Sequence, residues 1–119
     1  PRSSMAPTLV FTQDGGLHLI IGSPGGSAII NYVATRIVAI LDWKLDVQAA
    51  LDLPNVGGRN APVDLEKGTA AEGYKQPLEA MGHKTRVVDL TSGLSAIQLI
   101  RGHIEAGVDP RKEGVALGD

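Results

Sequence analysis

Residues 17–41 read LHLIIGSPGGSAIINYVATRIVAIL, an apolar strand, a Gly-Ser-Pro-Gly-Gly-Ser turn and a long amphipathic segment. The rest of the chain reads as support for that turn. Leu17, Leu19 and Ile21 alternate with His18 and Ile20 at the period of a strand, which Gly22 and Pro24 end. After Ser27 the period changes. Ile29, Ile30, Val33, Ala34, Ile37, Val38 and Leu41 recur at steps of three and four, the spacing of one helical face, with Asn31, Thr35 and Asp42 mostly opposite. Ser27 is the expected N-cap. Gly25 and Gly26 then fall at the first turn, where backbone N–H groups lack intrahelical partners and the helix dipole favours negative charge. Without side chains, they let an anion or a developing oxyanion approach the backbone. Glycine-rich strand-turn-helix junctions are also ordinary connections, and spacing alone leaves both readings open. Gly22, Gly25 and Gly26 do not form G-x-G-x-x-G, and no lysine follows to make a phosphate-binding P-loop.

A chain of 119 residues is one domain or part of one. Folding alone, it buries roughly two-thirds of its unfolded surface. With 43% hydrophobic and 20% charged residues, the composition is that of a globular protein and not of a disordered chain. The net charge of −2 is spread along the sequence, leaving no electrostatic footprint for nucleic acid or an anionic membrane, so neither is expected as a partner. There is no cysteine, hence no thiol nucleophile and no disulfide framework, and compartment is left open. The N-terminal PRSSMAPTLVF has no long apolar signal core. The segment after the glycine turn is interrupted by Asn31, Thr35 and Arg36, so no membrane span is expected and the mature chain is expected to be soluble. Pro1 is an unusual first residue and suggests a piece of something longer.

Outward from the turn, Thr8 to Thr12 is an expected strand, and Asp14-Gly15 is a tight-turn signal that pairs it with the strand at Leu17 as a hairpin. That pairing brings Ser3 and Ser4 to the same sheet edge as the glycine turn, where two hydroxyls and two glycine amides can line one pocket. Paired serines before a strand also simply hydrogen-bond a turn, and the residues alone favour that plainer reading. Asp46 caps a second helix from Val47 to about Leu53, with Ala49, Ala50 and Leu53 inward and Pro54 as its stop. Trp43 is expected to pack near the link. NVGGRNAP, residues 55–62, reads as a flexible loop before a short strand at Val63 to Glu66. YKQPLEAM, residues 74–81, suits a helix with Pro77 in its first turn and Gly82 as a left-handed C-cap. Thr85 to Leu90 is a strand, and Ser95 to Ile100 with His103 to Val108 flank Arg101-Gly102 as a further hairpin, before a polar tail.

Familiar catalytic constellations do not emerge. His18, His83 and His103 stand apart without a second ligand at zinc spacing, so no metal or other cofactor is expected. Asp42, Asp46 and Asp52 have cap and solvent roles. Asp109-Pro110-Arg111 reads as a turn with a local ion pair. No G-x-S-x-G elbow presents a serine nucleophile.

Taken in order, Ser3-Ser4-Met5-x-Pro-Thr, Gly22-Ser23-Pro24-Gly25-Gly26-Ser27 with its helix, Met81-Gly82-His83 and Asp109-Pro110-Arg111 resemble the C-terminal part of gamma-glutamyltranspeptidase over essentially the whole chain. The resemblance implies an α+β fold, the C-terminal portion of a four-layer αββα Ntn-hydrolase sandwich, with residues 1–119 as a partial domain. It implies that Ser3 and Ser4 hold the α-carboxylate of a gamma-glutamyl substrate and that the backbone of Gly25 and Gly26 forms an oxyanion hole. In that family the precursor cleaves itself, and the new N-terminal threonine of the small subunit is the nucleophile. The threonine segment and the acidic residues for the substrate amine precede the serine pair, so the partner implied is the N-terminal part of the same precursor. The resemblance also implies a periplasmic or secreted location. One departure bears on substrate preference: Pro54 is followed by Asn55-Val56-Gly57-Gly58 where the family usually has Pro-Arg and histidine-rich residues, and related acylases share the scaffold. A non-catalytic binding or structural module on the same scaffold is the remaining alternative. The 119 residues by themselves are expected to be inactive, to leave apolar surface uncovered, and to self-associate.

Overall fold

A computed structural model describes residues 3–60 and 62–118. The chain divides into two compact units, Pro54–Thr91 and the sequence on either side of it. The flanking sequence builds one antiparallel sheet in the order β1 (Thr8–Phe11), β2 (Leu17–Gly22), β6 (Ser95–Ile100), β7 (His103–Val108), together with helices α1 (Ile29–Leu41) and α2 (Val47–Asp52). Both hairpins form where their turn residues lie. Gly15, at φ +87°, turns β1 into β2, and Arg101 and Gly102, at φ +41° and +84°, turn β6 into β7. Two successive positive φ values match the right-handed twist of the strands they join.

Alternation gives the sheet two faces. Leu19, Ile21 and Ala96 bury with Ile29, Val33, Ile40, Val47 and Leu51 in one core beneath the helices. On the other face Leu9, Ile20, Ile97 and Ala106 lie in register across the four strands. There Leu9, Phe11, Ile97 and Ile104 are exposed, the uncovered apolar surface expected from the sequence.

Three expectations for the helices are corrected. The buried face of α1 is Ile29, Tyr32, Val33, Arg36, Ala39 and Ile40, whereas Ile30 is 58% exposed and Ala34 and Val38 also face outward. Apolar residues surround much of this helix, so periodicity did not single out the inward stripe. Two long polar side chains, Tyr32 and Arg36, complete it, Arg36 donating from Nη2 to the Leu53 carbonyl. Asp46 caps α2 by accepting from Ala49 N–H at 2.8 Å, and Ala50 and Leu53 face the core as expected, but Val47 and Leu51 are buried there too while Ala49 is only half-buried. Trp43 is 59% exposed, and it is Leu45 that packs on the core at the link.

In the second unit β4 (Val63–Glu66) pairs antiparallel with β3 (Val56–Gly57) and parallel with β5 (Thr85–Val88). The expected flexible loop thus carries a strand, too short to show any alternation. A 3-10 turn at Ala70–Tyr74 leads into α3 (Lys75–Ala80). Gly82, at φ +88°, ends it as expected: Gly82 N–H donates to Glu79 and His83 N–H to Leu78, the paired bonds of a Schellman cap.

Candidate functional site

The glycine turn leaves β2 at the sheet edge where the segment before β1 also arrives, because an antiparallel partner starts where its neighbour ends. Ser4 N–H donates to the Gly26 carbonyl at 3.0 Å, tying the serine pair to the turn. Between them lies a concavity of about 530 Å³, lined among others by Ser3, Met5, Gly22, Gly25, Gly26 and Ile29. The four residues singled out by sequence therefore meet at one place. Ser3 lines the cavity and is exposed, the two glycines line it as well, and Ser4 is half-buried beside it.

The turn is made by backbone angles that only glycine adopts readily. Gly25 has φ +133° and Gly26 φ +59°, after which the chain enters a short 3-10 turn, Gly26–Ala28, before α1. Ser27 is consequently inside this turn and is not the cap; α1 starts from Ala28 with no side-chain cap bond. The carbonyl of Gly25 accepts from Ala28 N–H at 3.1 Å. Among the described residues the amides of Gly25 and Gly26 donate to no protein acceptor, which leaves two donors at the cavity wall.

Two structures brace the turn, and neither was legible locally. Beneath it, Tyr32 is 3% exposed, and a Cβ built on Gly25 would lie 2.6 Å from Tyr32 Cε2. Beside it, Ser23 Oγ accepts from Gly93 N–H at 3.2 Å and donates to the Pro24 carbonyl at 2.7 Å. Gly93 packs so tightly that a Cβ there would lie 2.7 Å from Pro24 Cγ and 2.9 Å from Lys112 Cγ. The segment around Gly93 is held in turn by Asp109, whose carboxylate accepts from Ser92 Oγ, from Leu94 N–H at 3.2 Å, and from Arg111 N–H and Nη1 at 3.0 and 2.9 Å. The expected Asp109–Arg111 ion pair is thus present and nearly buried. Burial pushes the Asp109 carboxyl up, but the bonds from Ser92, Arg111 and Leu94 together outweigh it and hold its pKa below the ordinary value. Arg111 Nη2 reaches the Leu53 carbonyl at 2.9 Å, the acceptor it shares with Arg36.

Elsewhere, His18 is packed, with Nδ1 3.1 Å from the Leu99 carbonyl and Nε2 3.3 Å from Gln98 Nε2. Among the described residues no group of three or more His, Cys, Asp or Glu is placed to hold a metal, and no helix is long and apolar enough to cross a membrane.

Chemically, the site offers the backbone amides of a braced glycine turn and the Ser3 hydroxyl at one open cavity. A family model described as gamma-glutamyltranspeptidase matches residues 1–119. The glutathione hydrolase proenzyme of Escherichia coli is 36% identical over 114 residues, which are 93% of this chain and 19% of that protein. The acylase ACY 1 proenzyme of a Pseudomonas species is 31% identical over 96 residues, 80% of this chain and 17% of that one. A crystal structure of gamma-glutamyltranspeptidase from Helicobacter pylori superposes with a TM-score of 0.83 at 31% identity, covering 94% of this chain and 63% of that one. The chain spans about a fifth of the length of the curated relatives it matches.

Proposed function

The chain belongs to the gamma-glutamyltranspeptidase family, and we propose that it is the part of such an enzyme that grips the substrate carboxylate and stabilises the tetrahedral transition state. The α+β class and the Ntn-hydrolase sandwich expected from the resemblance stand with that membership. The single observation that carries the proposal is that Ser3, Gly25 and Gly26 line one cavity, with Ser4 beside it tied to Gly26 through its N–H.

In this reading the parent enzyme attacks a gamma-glutamyl amide such as glutathione and passes the acyl group to water or to an amino acid. The nucleophile comes from the preceding part of the same precursor. As the acyl carbon becomes tetrahedral, its oxygen gains charge and the Gly25 and Gly26 amides donate to it, preorganised by their backbone angles. Ser3 and Ser4 donate to the α-carboxylate in ground and transition states alike. The precursor remainder is the partner, no metal or cofactor takes part, and the location is periplasmic or secreted. A second reading, an acylase of another amide, is favoured by the acylase relative and by Asn55-Val56-Gly57-Gly58 after Pro54. It keeps the oxyanion turn and changes what the rest of the substrate looks like.

The test is a contrast in the self-cleaved parent enzyme with a chromogenic gamma-glutamyl anilide. Gly26→Val, whose branched side chain does not readily keep φ +59° and so misdirects the amide, is expected to lower kcat about 10²–10³-fold, the usual cost of one oxyanion donor. Ser4→Ala is expected to raise KM with little change in kcat, because it removes binding common to both states. Near-normal kcat in a matured Gly26→Val enzyme removes the oxyanion assignment, and an unchanged KM in Ser4→Ala removes the carboxylate one. The 119-residue polypeptide alone is expected to show no turnover above a blank.

A further inference from the structure

An oxyanion hole works only if its donors already point at the oxygen, yet Gly25 and Gly26 are the residues with the least intrinsic restriction of backbone angle. Something else must fix them. Two hydrogen bonds hold their carbonyls, from Ala28 N–H to Gly25 and from Ser4 N–H to Gly26. Beside these and the Ser23–Gly93 brace stands an aromatic wall. The atoms nearest to a Cβ position on Gly25 are Tyr32 Cε2 at 2.6 Å, Tyr32 Cδ2 at 3.1 Å and Ile29 Cγ1 at 3.7 Å. Contact this close means that the ring lies directly against the Gly25 Cα, on the side where any other residue would carry its side chain. The ring has nowhere to retreat, since Tyr32 is 3% exposed and packed in the core with Leu19, Ile21 and Val33. An interior at this density transmits position, because moving Gly25 toward the helix means displacing a fully packed aromatic side chain.

We propose that Tyr32 is a positioning residue of the oxyanion turn: its ring is the rigid surface against which Gly25 is pressed, which fixes the direction of the Gly25 and Gly26 amides. This rests on reading those amides as oxyanion donors. The relevant property is the flat, stiff ring. It accounts for a glycine at position 25 twice over, once through φ +133° and once through the space the ring takes.

The experiment compares Tyr32→Phe, Tyr32→Leu and Tyr32→Met in the self-cleaved parent enzyme, with subunit formation checked by gel and kcat and KM measured separately on the gamma-glutamyl anilide. Tyr32→Leu and Tyr32→Met keep an apolar side chain in the core but remove the rigid wall. They are expected to lower kcat about tenfold or more, as misplacement of a reacting group well under 1 Å does, while KM stays within about threefold. Tyr32→Phe, which keeps the ring, is expected within about threefold of the parent in kcat. The proposal is overturned if Leu and Met variants mature and keep kcat, if their loss appears in KM, if Phe falls as far as Leu, or if Leu and Met both fail to mature while Phe matures normally. The Gly26→Val variant separates the two claims. Loss of kcat there with full activity in Tyr32→Leu removes only the role of Tyr32, whereas normal kcat in Gly26→Val removes the oxyanion reading itself.

Discussion

Two turns leave the same four-stranded sheet on paired positive-φ residues, Gly25-Gly26 after β2 and Arg101-Gly102 between β6 and β7. In sequence they look alike, each a glycine-bearing break between regular elements. In structure they differ in what surrounds them. A Cβ on Gly102 would meet nothing within 4 Å, and its neighbour Arg101 carries a full side chain at φ +41°. A Cβ on Gly25 would run into Tyr32, and the turn beside it is braced through Ser23 by Gly93. The hairpin turn has only to reverse the chain, so local geometry suffices. In the proposed role the site turn holds two amides in a chosen direction, and packing from α1 and from the segment before β6 restrains it.

The comparison is broken or sharpened by four measurements, in falling order of effect. Gly25→Ala in the parent enzyme is expected to lower kcat by at least about 10²-fold, since alanine neither adopts φ +133° readily nor fits against the ring. Asp109→Ala removes the carboxylate that holds Ser92, Leu94 and Arg111, taking a counter-charge from beside a nearly buried guanidinium. It is expected to cost about 3 kcal/mol of unfolding free energy, read from denaturant midpoints of the matured enzyme. The same carboxylate sets a pH signature. Its folded pKa lies below its unfolded value, so its stabilisation is complete above the unfolded pKa of about 4 and is lost as pH falls through the folded one. An acid titration of stability is therefore expected to fall less steeply below about pH 4 in Asp109→Asn than in the parent; parallel curves would contradict the assignment. Gly102→Ala is expected to cost no more than about 1–2 kcal/mol, the left-handed penalty alone, with kcat unchanged. A separate measurement concerns the outer sheet face: light scattering of the 119-residue polypeptide is expected to show self-association through Leu9, Phe11, Ile97 and Ile104, and a monodisperse monomer at high concentration would count against it.

Much of this was legible before any coordinates, for a physical reason. Strand alternation at Leu17–Ile21, the Asp14-Gly15 and Arg101-Gly102 turns, the Asp46 cap and the Gly82 stop are all set by contacts within a few residues, which a linear sequence displays directly. The meeting of Ser3 and Ser4 with Gly25 and Gly26 followed from one antiparallel pairing. What was missed depends on residues far apart in the chain. Nothing near Ser92 or Gly93 announces that Asp109 will hold that segment, and apolar periodicity does not assign Tyr32 and Arg36 to the buried face of α1, where the core accepts them. Ser27 was misplaced because two successive positive-φ glycines start a 3-10 turn ahead of the helix, a feature that side-chain periodicity does not register.

The most direct measurement is the single-turnover rate of acylation of the matured parent enzyme by a gamma-glutamyl anilide, comparing Gly25→Ala with Gly102→Ala. Both replace a positive-φ glycine on the same sheet, so a general loss of turn geometry affects them alike. The account predicts that acylation slows at least about 10²-fold in Gly25→Ala and stays within about twofold of the parent in Gly102→Ala. Acylation at the parental rate in a folded, self-cleaved Gly25→Ala enzyme would contradict it.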